Sequence, residues 1–514
     1  MEPPFTSDCQ RAATIKSKRK ECSPVITRTL SLIFLVYAVA SGAAQVHLPN
    51  IFSEHGILQR DRPTRIWGTS SPGETIVIKI HAQQIQTRAA DSGHWEALLA
   101  PEPAGGPYEL EVDGHSNKVV LADILFGDVF LVSGQSNIGY SFAGIQDSVM
   151  PHAQEVLAAA DDPDLRILRV PKDFGPAPRE DQPTRWARCT PQSVAEFSLL
   201  GYLTGRALSD REHVPVGIIQ AAYGGTPIEG WVSAPALQHV PTLQAPLAQW
   251  AYDLDQEVAA KATSGAQGVL PPIGLRHPVP GIWRASTLFN GMISPIAPYT
   301  IKGVIWYQGE SSADPSRAAA YEDLLTTLIG SWRTLWHDPQ LPFVVVQISS
   351  FIAGPKMQWG TVREAQRRIL KLPDTALVVT YDLGFAHNPH PPQKQETADR
   401  IVLACRGLFY GEKIESSGPL FLAAETRDSS IRVSFTHNEG LHASGHQLQG
   451  FEIAAADGRF APATARVVDN AVIVSSSSVP HPTTVRYAWA NFTDANLYNG
   501  ANLPAATFTT DSKK

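Results

Sequence analysis

The sequence predicts an α/β protein whose middle region is a mostly parallel sheet covered by helices in three layers, flanked on each side by a small β-sandwich-type module. Three stretches carry this reading. Across 123–412, the short apolar runs Val129 to Val132, Val216 to Ile219, Val304 to Tyr307, Phe343 to Ile348 and Ala376 to Thr380 are separated by longer segments with helical periodicity, such as Ala318 to Leu335 and Thr361 to Leu370. That alternation is what parallel strands joined by crossover helices require. Across 45–122, β-like runs such as Thr75 to Ile80 and Tyr108 to Val112 are punctuated by Ser71-Pro72-Gly73 and Gly105-Gly106-Pro107, which reads as strands and turns of a first β-module. Across 413–514 the runs Ile431 to Phe435, Gly450 to Ala454, Ala471 to Ser475 and Thr484 to Ala488 predict a second. With 514 residues, division into a main domain and smaller ones is expected, because single cores stop growing at about 250–300 residues.

Composition narrows the partners. A net charge of −7 is small for this length, and Lys and Arg form no stripe beyond the amino terminus, so a nucleic-acid partner held by phosphate contacts is not expected. Residues 1–44 carry Lys16, Lys18, Arg19, Lys20 and Arg28, then the apolar run Leu30 to Ala40, then small residues through Ala44. This is the order of a signal peptide, which makes a secreted or periplasmic location the expectation and an uncleaved anchor the alternative; no stable membrane partner is expected after cleavage. Removal of 1–44 takes Cys9 and Cys22 with it and leaves Cys189 and Cys405, too few for a disulfide framework. Cys405 lies on the apolar face Ala398, Ile401, Val402, Cys405, Leu408, Phe409 of a predicted helix and reads as core; a bridge to Cys189 stays open.

Four loops at strand ends hold the chemistry. The strand Asp128 to Val132 runs into Ser133-Gly134-Gln135-Ser136-Asn137, which places a serine where open α/β sheets form their ligand crevices, although Gly-Gln-Ser-Asn is also an ordinary turn. Val216 to Ile219 leads to Gly224-Gly225-Thr226-Pro227, either a plain turn or a loop whose backbone N–H can approach a substrate closely. Val304 to Tyr307 ends in Gln308-Gly309-Glu310-Ser311, an amide and a carboxylate at the same edge. The fourth loop, Asp382 to Pro392, contains His387, Asn388 and His390. There His390 is a candidate to take the proton of Ser136 and return it to a leaving alcohol.

The blocks Gly134-Gln135-Ser136-Asn137, Gly224-Gly225-Thr226-Pro227-Ile228-Glu229, Trp306-Tyr307-Gln308-Gly309-Glu310-Ser311 and His390-Pro391-Pro392-x-Lys394 resemble those of the sialate O-acetylesterase family. Similarity extends to Leu288 to Ile293 and to Asn496 to Asn499, and so spans essentially the whole chain after residue 44. The resemblance implies an SGNH-hydrolase, flavodoxin-like domain that releases acetate from an O-acetylated sugar or polysaccharide through an acetyl-serine, with neither metal nor organic cofactor. It implies Ser136 as nucleophile and His390 as base, with the N–H groups of Ser136 and Gly225 and the Gln308 amide as oxyanion donors. Gln135, Asn137 and Gly224, inside the same blocks, are expected at the substrate; Trp231 is read either as pocket wall or as core.

Two positions depart from the family pattern: Asn388 stands where an aspartate is usual, and Ser312 where asparagine is frequent. A carboxylate normally holds the imidazole tautomer, and its loss can cost about 10⁴ in rate in a serine-protease triad. Three readings follow: Asn388 orients His390, Glu310 or Asp382 supplies the carboxylate, or activity is largely lost, with Glu310 preferred over Asp382. Two competing readings remain, a metal site at His387, His390 and Asp382, and a carbohydrate-binding protein that keeps the esterase fold. The segment Pro235 to Arg284, rich in Ala, Gln and Pro, is expected to form a lid or wall beside the cleft.

Overall fold

The computed structural model describes residues 45–144, 150, 152–266 and 280–511. The predicted signal segment, with Cys9 and Cys22, lies outside them, as does 267–279 of the expected lid. Ala43–Lys514 cluster as one compact unit. Its organising element is one long strand. Six short strands precede it: β1 (Ile57–Gln59), β2 (Thr64–Thr69), β3 (Thr75–Ile80), β4 (Gln83–Arg88), β5 (His94–Leu99) and β6 (Gly105–Asp113). The seventh, β7 (Lys118–Gly134), has 17 residues. Its first half alternates between more and less exposed side chains, and from Ile124 onward every residue is buried. That is the change from a strand covered on one face to one covered on both. The same change shows in its partners: β6 and β1 pair with the portion up to Gly127, while the portion from Asp128 enters the central sheet. One strand therefore passes through the boundary expected at 122/123.

The central sheet adds β8 (Asp162–Arg169), β9 (Trp186–Cys189), β10 (Val216–Ala222), β11 (Gly303–Tyr307), β12 (Phe343–Val346) and β13 (Thr375–Val378) in the spatial order β13-β12-β11-β7-β10-β8-β9. All neighbours pair in parallel except β8 and β9. Counted along the chain, β7, β10, β11, β12 and β13 lie in the order 2-1-3-4-5, the doubly wound arrangement whose crevice opens where the strand order reverses, beside the first strand. The pair β8 and β9 extends this set at one edge and was not anticipated, because Asp162, Pro163 and Asp164 mask the strand pattern of Leu165 to Leu168.

Two helix pairs pack side by side: Leu199–Glu212, which also meets β8 and β10, beside Lys394–Phe409, which also meets β12 and β13, and Pro315–Leu335 beside Trp359–Arg368. The start of Pro315–Leu335 is encoded locally, since Asp314 accepts from the N–H groups of Ser316 and Arg317 and Pro315 fills the first position, where no N–H is needed. After the strands of the central sheet, two four-stranded antiparallel sheets follow. One holds Leu420–Arg427, Ser430–Thr436, Ala471–Ser475 and Thr464–Val468, the other Phe460–Pro462, Phe451–Ala454, Thr484–Tyr487 and Phe508–Thr509. Cys405 is fully buried on its helix, as its apolar neighbours predict, and both Cys189 and Cys405 are free. The described part of the Pro235 to Arg284 segment is mainly helical, with Ala234–Gln238 and Pro241–Ala266. No described helix is long and apolar enough to cross a membrane.

Candidate active site

Ala222, Gly134 and Tyr307 are direct partners across three adjacent parallel strands, so the loops that follow them leave the sheet at one level. Gly134 makes the first turn possible. Its φ is +133°, and a Cβ there would lie 2.1 Å from the Tyr307 carbonyl oxygen, so no side chain fits. The chain then enters the short helix Ser136–Gly139, which lifts Ser136 to a half-buried position at the sheet edge. Gly224 approaches it so closely that a Cβ would stand 3.3 Å from that of Ser136. Gly225, at φ +72°, faces open space. The backbone N–H groups of Ser136 and Gly225 donate to no group among the described residues.

His390 completes the pair across 254 positions of sequence: its Nε2 lies 2.7 Å from Ser136 Oγ. The ring packs against Tyr140, with centroids 5.0 Å apart. Burial, with the nearby Lys394 charge adding to it, pulls the imidazole down to about 4, so the ring is neutral at ordinary pH and able to accept a proton.

The residues around this pair differ in several ways from expectation. Asn388 does not orient the imidazole; its Oδ1 accepts from the backbone N–H of His390 at 2.9 Å and closes the loop on itself. Asp382 does not reach the ring either, being held by Arg400 at 2.7 and 2.6 Å and by the Tyr498 hydroxyl at 3.0 Å. The preferred carboxylate, Glu310, is close but engaged elsewhere: Oε1 accepts from Asn137 Nδ2 at 2.5 Å, and Oε2 is buried without a partner. Among the described residues no side chain hydrogen-bonds Nδ1 of His390. Burial raises the Glu310 carboxyl above its ordinary range.

Gln308 is also corrected. An amide nitrogen has two hydrogens, and those of Gln308 go to the Thr226 carbonyl at 3.0 Å and Ser312 Oγ at 3.0 Å, while its Oε1 accepts from the Tyr321 hydroxyl at 2.8 Å. This side chain braces the glycine-pair loop and has no hydrogen left for an oxyanion. Ser312, the second departure from the family pattern, joins the brace by also accepting from the Ile228 N–H at 3.1 Å. Gln135 is buried and accepts from the N–H groups of Gly309 and Ser311 at 3.4 and 3.2 Å, which ties the serine turn to the Glu310 loop. Trp231 is core: fully buried, bonded through Nε1 to Thr226 Oγ1 at 3.0 Å, and edge-on to Trp306. Its apolar neighbours in sequence were the available signal.

His387 is exposed, and the described residues contain no cluster of three His, Cys, Asp or Glu side chains fit to hold a metal. One residue central to the site was quoted only as part of a motif. Lys394, at the first position of its helix, is buried and donates to Asn137 Oδ1 at 2.9 Å.

A serine and a neutral histidine lie in hydrogen-bond contact at the switch point of a doubly wound sheet, an arrangement able to carry out acyl transfer, and comparison with known proteins places the chain among the carbohydrate esterases. The profile of the SASA family, described as carbohydrate esterase, sialic acid-specific acetylesterase, matches residues 281–396. A carbohydrate acetylesterase from Xanthomonas citri of known structure is 32% identical, with a TM-score of 0.78, and the match covers 91% of this chain and all of that one. The sialate O-acetylesterases of Homo sapiens and Mus musculus are each 27% identical, over 95% and 93% of this chain and 96% and 97% of theirs. The chain belongs to the sialate O-acetylesterase family of carbohydrate acetylesterases.

Proposed function

We propose that this protein hydrolyses O-acetyl esters on carbohydrates through an acetyl-serine intermediate. Ser136 Oγ attacks the acetyl carbonyl carbon while His390 Nε2 takes the hydroxyl proton. The tetrahedral oxyanion faces the free N–H groups of Ser136 and Gly225. Collapse expels the sugar oxygen, which receives the proton from His390, and water then releases acetate from Ser136 by the same steps in reverse order of partners. The observation that carries this reading is the 2.7 Å contact between Ser136 Oγ and His390 Nε2 at the strand-order reversal. Sialic acids, and xylan or other hemicellulose side groups, are the substrate classes in view. The 2-1-3-4-5 strand order supports reading 123–412 as a three-layer SGNH-hydrolase domain between β-sandwich-type modules at 45–122 and 413–514. Export after removal of 1–44 fits such a substrate.

A second reading, a catalytically weakened or purely sugar-binding protein, is favoured by one feature: no described carboxylate holds Nδ1 of His390. Acetate release from an aryl acetate and from O-acetylated sialic acid and xylan, with mass detection of an acetyl group on Ser136, separates the two. Turnover that vanishes in Ser136→Ala supports the esterase; sugar binding without acetate release from any ester supports the binder.

A further inference from the structure

Behind the Ser136 and His390 pair lies a chain of buried polar groups that the reaction as written does not use. The Asn137 amide sits at its centre with every hydrogen-bonding atom engaged. Nδ2 donates to Glu310 Oε1 at 2.5 Å and to the Pro389 carbonyl at 3.0 Å, and Oδ1 accepts from Lys394 Nζ at 2.9 Å. A reversed amide would point hydrogens at an ammonium and its oxygen at two other oxygens, so the surroundings admit only one orientation. Asn137 follows the nucleophile, Pro389 precedes the base, and Lys394 begins the helix that follows the base. One amide thus joins both partners of the reaction to a carboxylate and an ammonium.

We propose that Lys394 is a positioning residue of the ester hydrolysis: by holding the Asn137 amide it locks the Ser136 turn, the His390 loop and Glu310 into one unit, and it presents a positive charge to the His390 ring. The inference rests on the esterase reading given above. The groups facing Lys394 are Asn137 from the serine helix, Tyr140 just after it, Glu310 from the loop after β11, and His390 from its own loop; its Nζ lies 5.7 Å from the centre of the Tyr140 ring. Burial draws the Lys394 ammonium down to about 7 while Glu310 partly sustains it. Burial comes first for His390, and the Lys394 charge lowers the ring further, to about 4.

The sign of the effect follows. A positive neighbour disfavours imidazolium, so deleting it lets His390 protonate at higher pH. The test is the pH profile of kcat/KM on an aryl acetate, together with the NMR titration of the His390 ring, for the parent, Lys394→Met and Lys394→Gln. The glutamine can still donate to Asn137 Oδ1 but carries no charge. In both variants the acid limb and the ring titration are expected to move upward together by about 0.5 pH unit or more. Lys394→Met, which also frees the amide, should lose a further roughly 10- to 100-fold in kcat, and Lys394→Gln less. A purely structural lysine would lower the rate at every pH and leave the limb in place. In the unmodified protein the His390 ring signal should show a second inflection near the Lys394 value of about 7, a reading that needs no variant to fold. An active parent whose acid limb is unmoved by the substitutions, or whose ring signal lacks that inflection, overturns the role of Lys394 alone. An inactive parent overturns the esterase reading and any role in it.

Discussion

Two buried carboxylates, Asp128 on β7 and Glu310 on the loop after β11, are treated in opposite ways. Asp128, where the strand enters the sheet, accepts from Gln59 Nε2 at 3.2 Å, Arg60 Nε and Nη2 at 3.0 Å each, Lys302 Nζ at 3.0 Å and the Tyr410 hydroxyl at 2.9 Å. Burial pushes its carboxyl up, but Arg60 and Lys302 outweigh this and hold it below the usual range. Glu310 has one amide donor and a bare buried oxygen, and sits above the usual range. The comparison teaches that burial alone does not mark a functional carboxylate. Asp128 is saturated and fastens the first β-module, β11 and the end of the Lys394–Phe409 helix region to one strand. Glu310 is left with one oxygen unpaired beside the Ser136 turn, and an under-satisfied buried group of this kind calls for an explanation that a saturated one does not.

Substitution should expose that difference. Ser136→Ala should lower kcat/KM by about 10⁴-fold or more with an unchanged melting temperature; residual turnover near the parent's would displace the centre from this end of β7. Asp128→Ala removes the anion shared by the half-buried Arg60 and Lys302 and should cost about 3 kcal/mol of stability, read by denaturant unfolding, while the folded fraction keeps its kcat. If instead it lowers kcat without loss of stability, the two carboxylates are not different in kind. Glu310→Gln retains an acceptor for Asn137 and should reduce kcat by about 10-fold, with stability changed by less than about 1 kcal/mol.

The comparison also has a pH signature. Because folding lowers the Asp128 value, its stabilising contribution is complete above the unfolded value of about 3.9 and is lost as the pH falls through the folded value. The stability gap between the parent and Asp128→Asn should therefore be widest near neutral pH and close in acid; a gap that stays constant from pH 7 to pH 2 would contradict the pairing. The smallest effect is expected from Asn388→Asp. Its oxygen caps the His390 N–H, which aspartate does equally well, so kcat should change by less than about 3-fold. A large increase would mean that the new carboxylate turns to Nδ1 and that the natural site is held below its attainable rate.

Much of this was legible from residues alone. The apolar runs marked β7, β10, β11, β12 and β13, and polar loops after strands located Ser136, Gly225, Glu310 and His390, because parallel strands buried on both faces read as continuous apolar stretches and their carboxyl ends share one edge. Less visible were β8, whose first residues are Asp-Pro-Asp, and the continuity of β7 across the module boundary, since a strand may change partners without a change in its own backbone.

What the sequence by itself determined is most of the central strands and the chemical types available at the sheet edge: a serine in a glycine-containing turn, a histidine on a proline-stiffened loop, and an amide and a carboxylate between them. Tertiary structure decided which of these touch. Three carboxamide or carboxylate residues were possible orienters of His390, and the fold turned Asn388 to its own backbone, Asp382 to Arg400 and Glu310 to Asn137. It buried Trp231, spent both hydrogens of Gln308 on a brace, and brought Lys394 to Asn137 across 257 positions. The reason is physical: strand and helix patterns are set by neighbours a few residues apart, whereas each of these contacts depends on strand order, register and a rotamer chosen by packing from several chain segments at once.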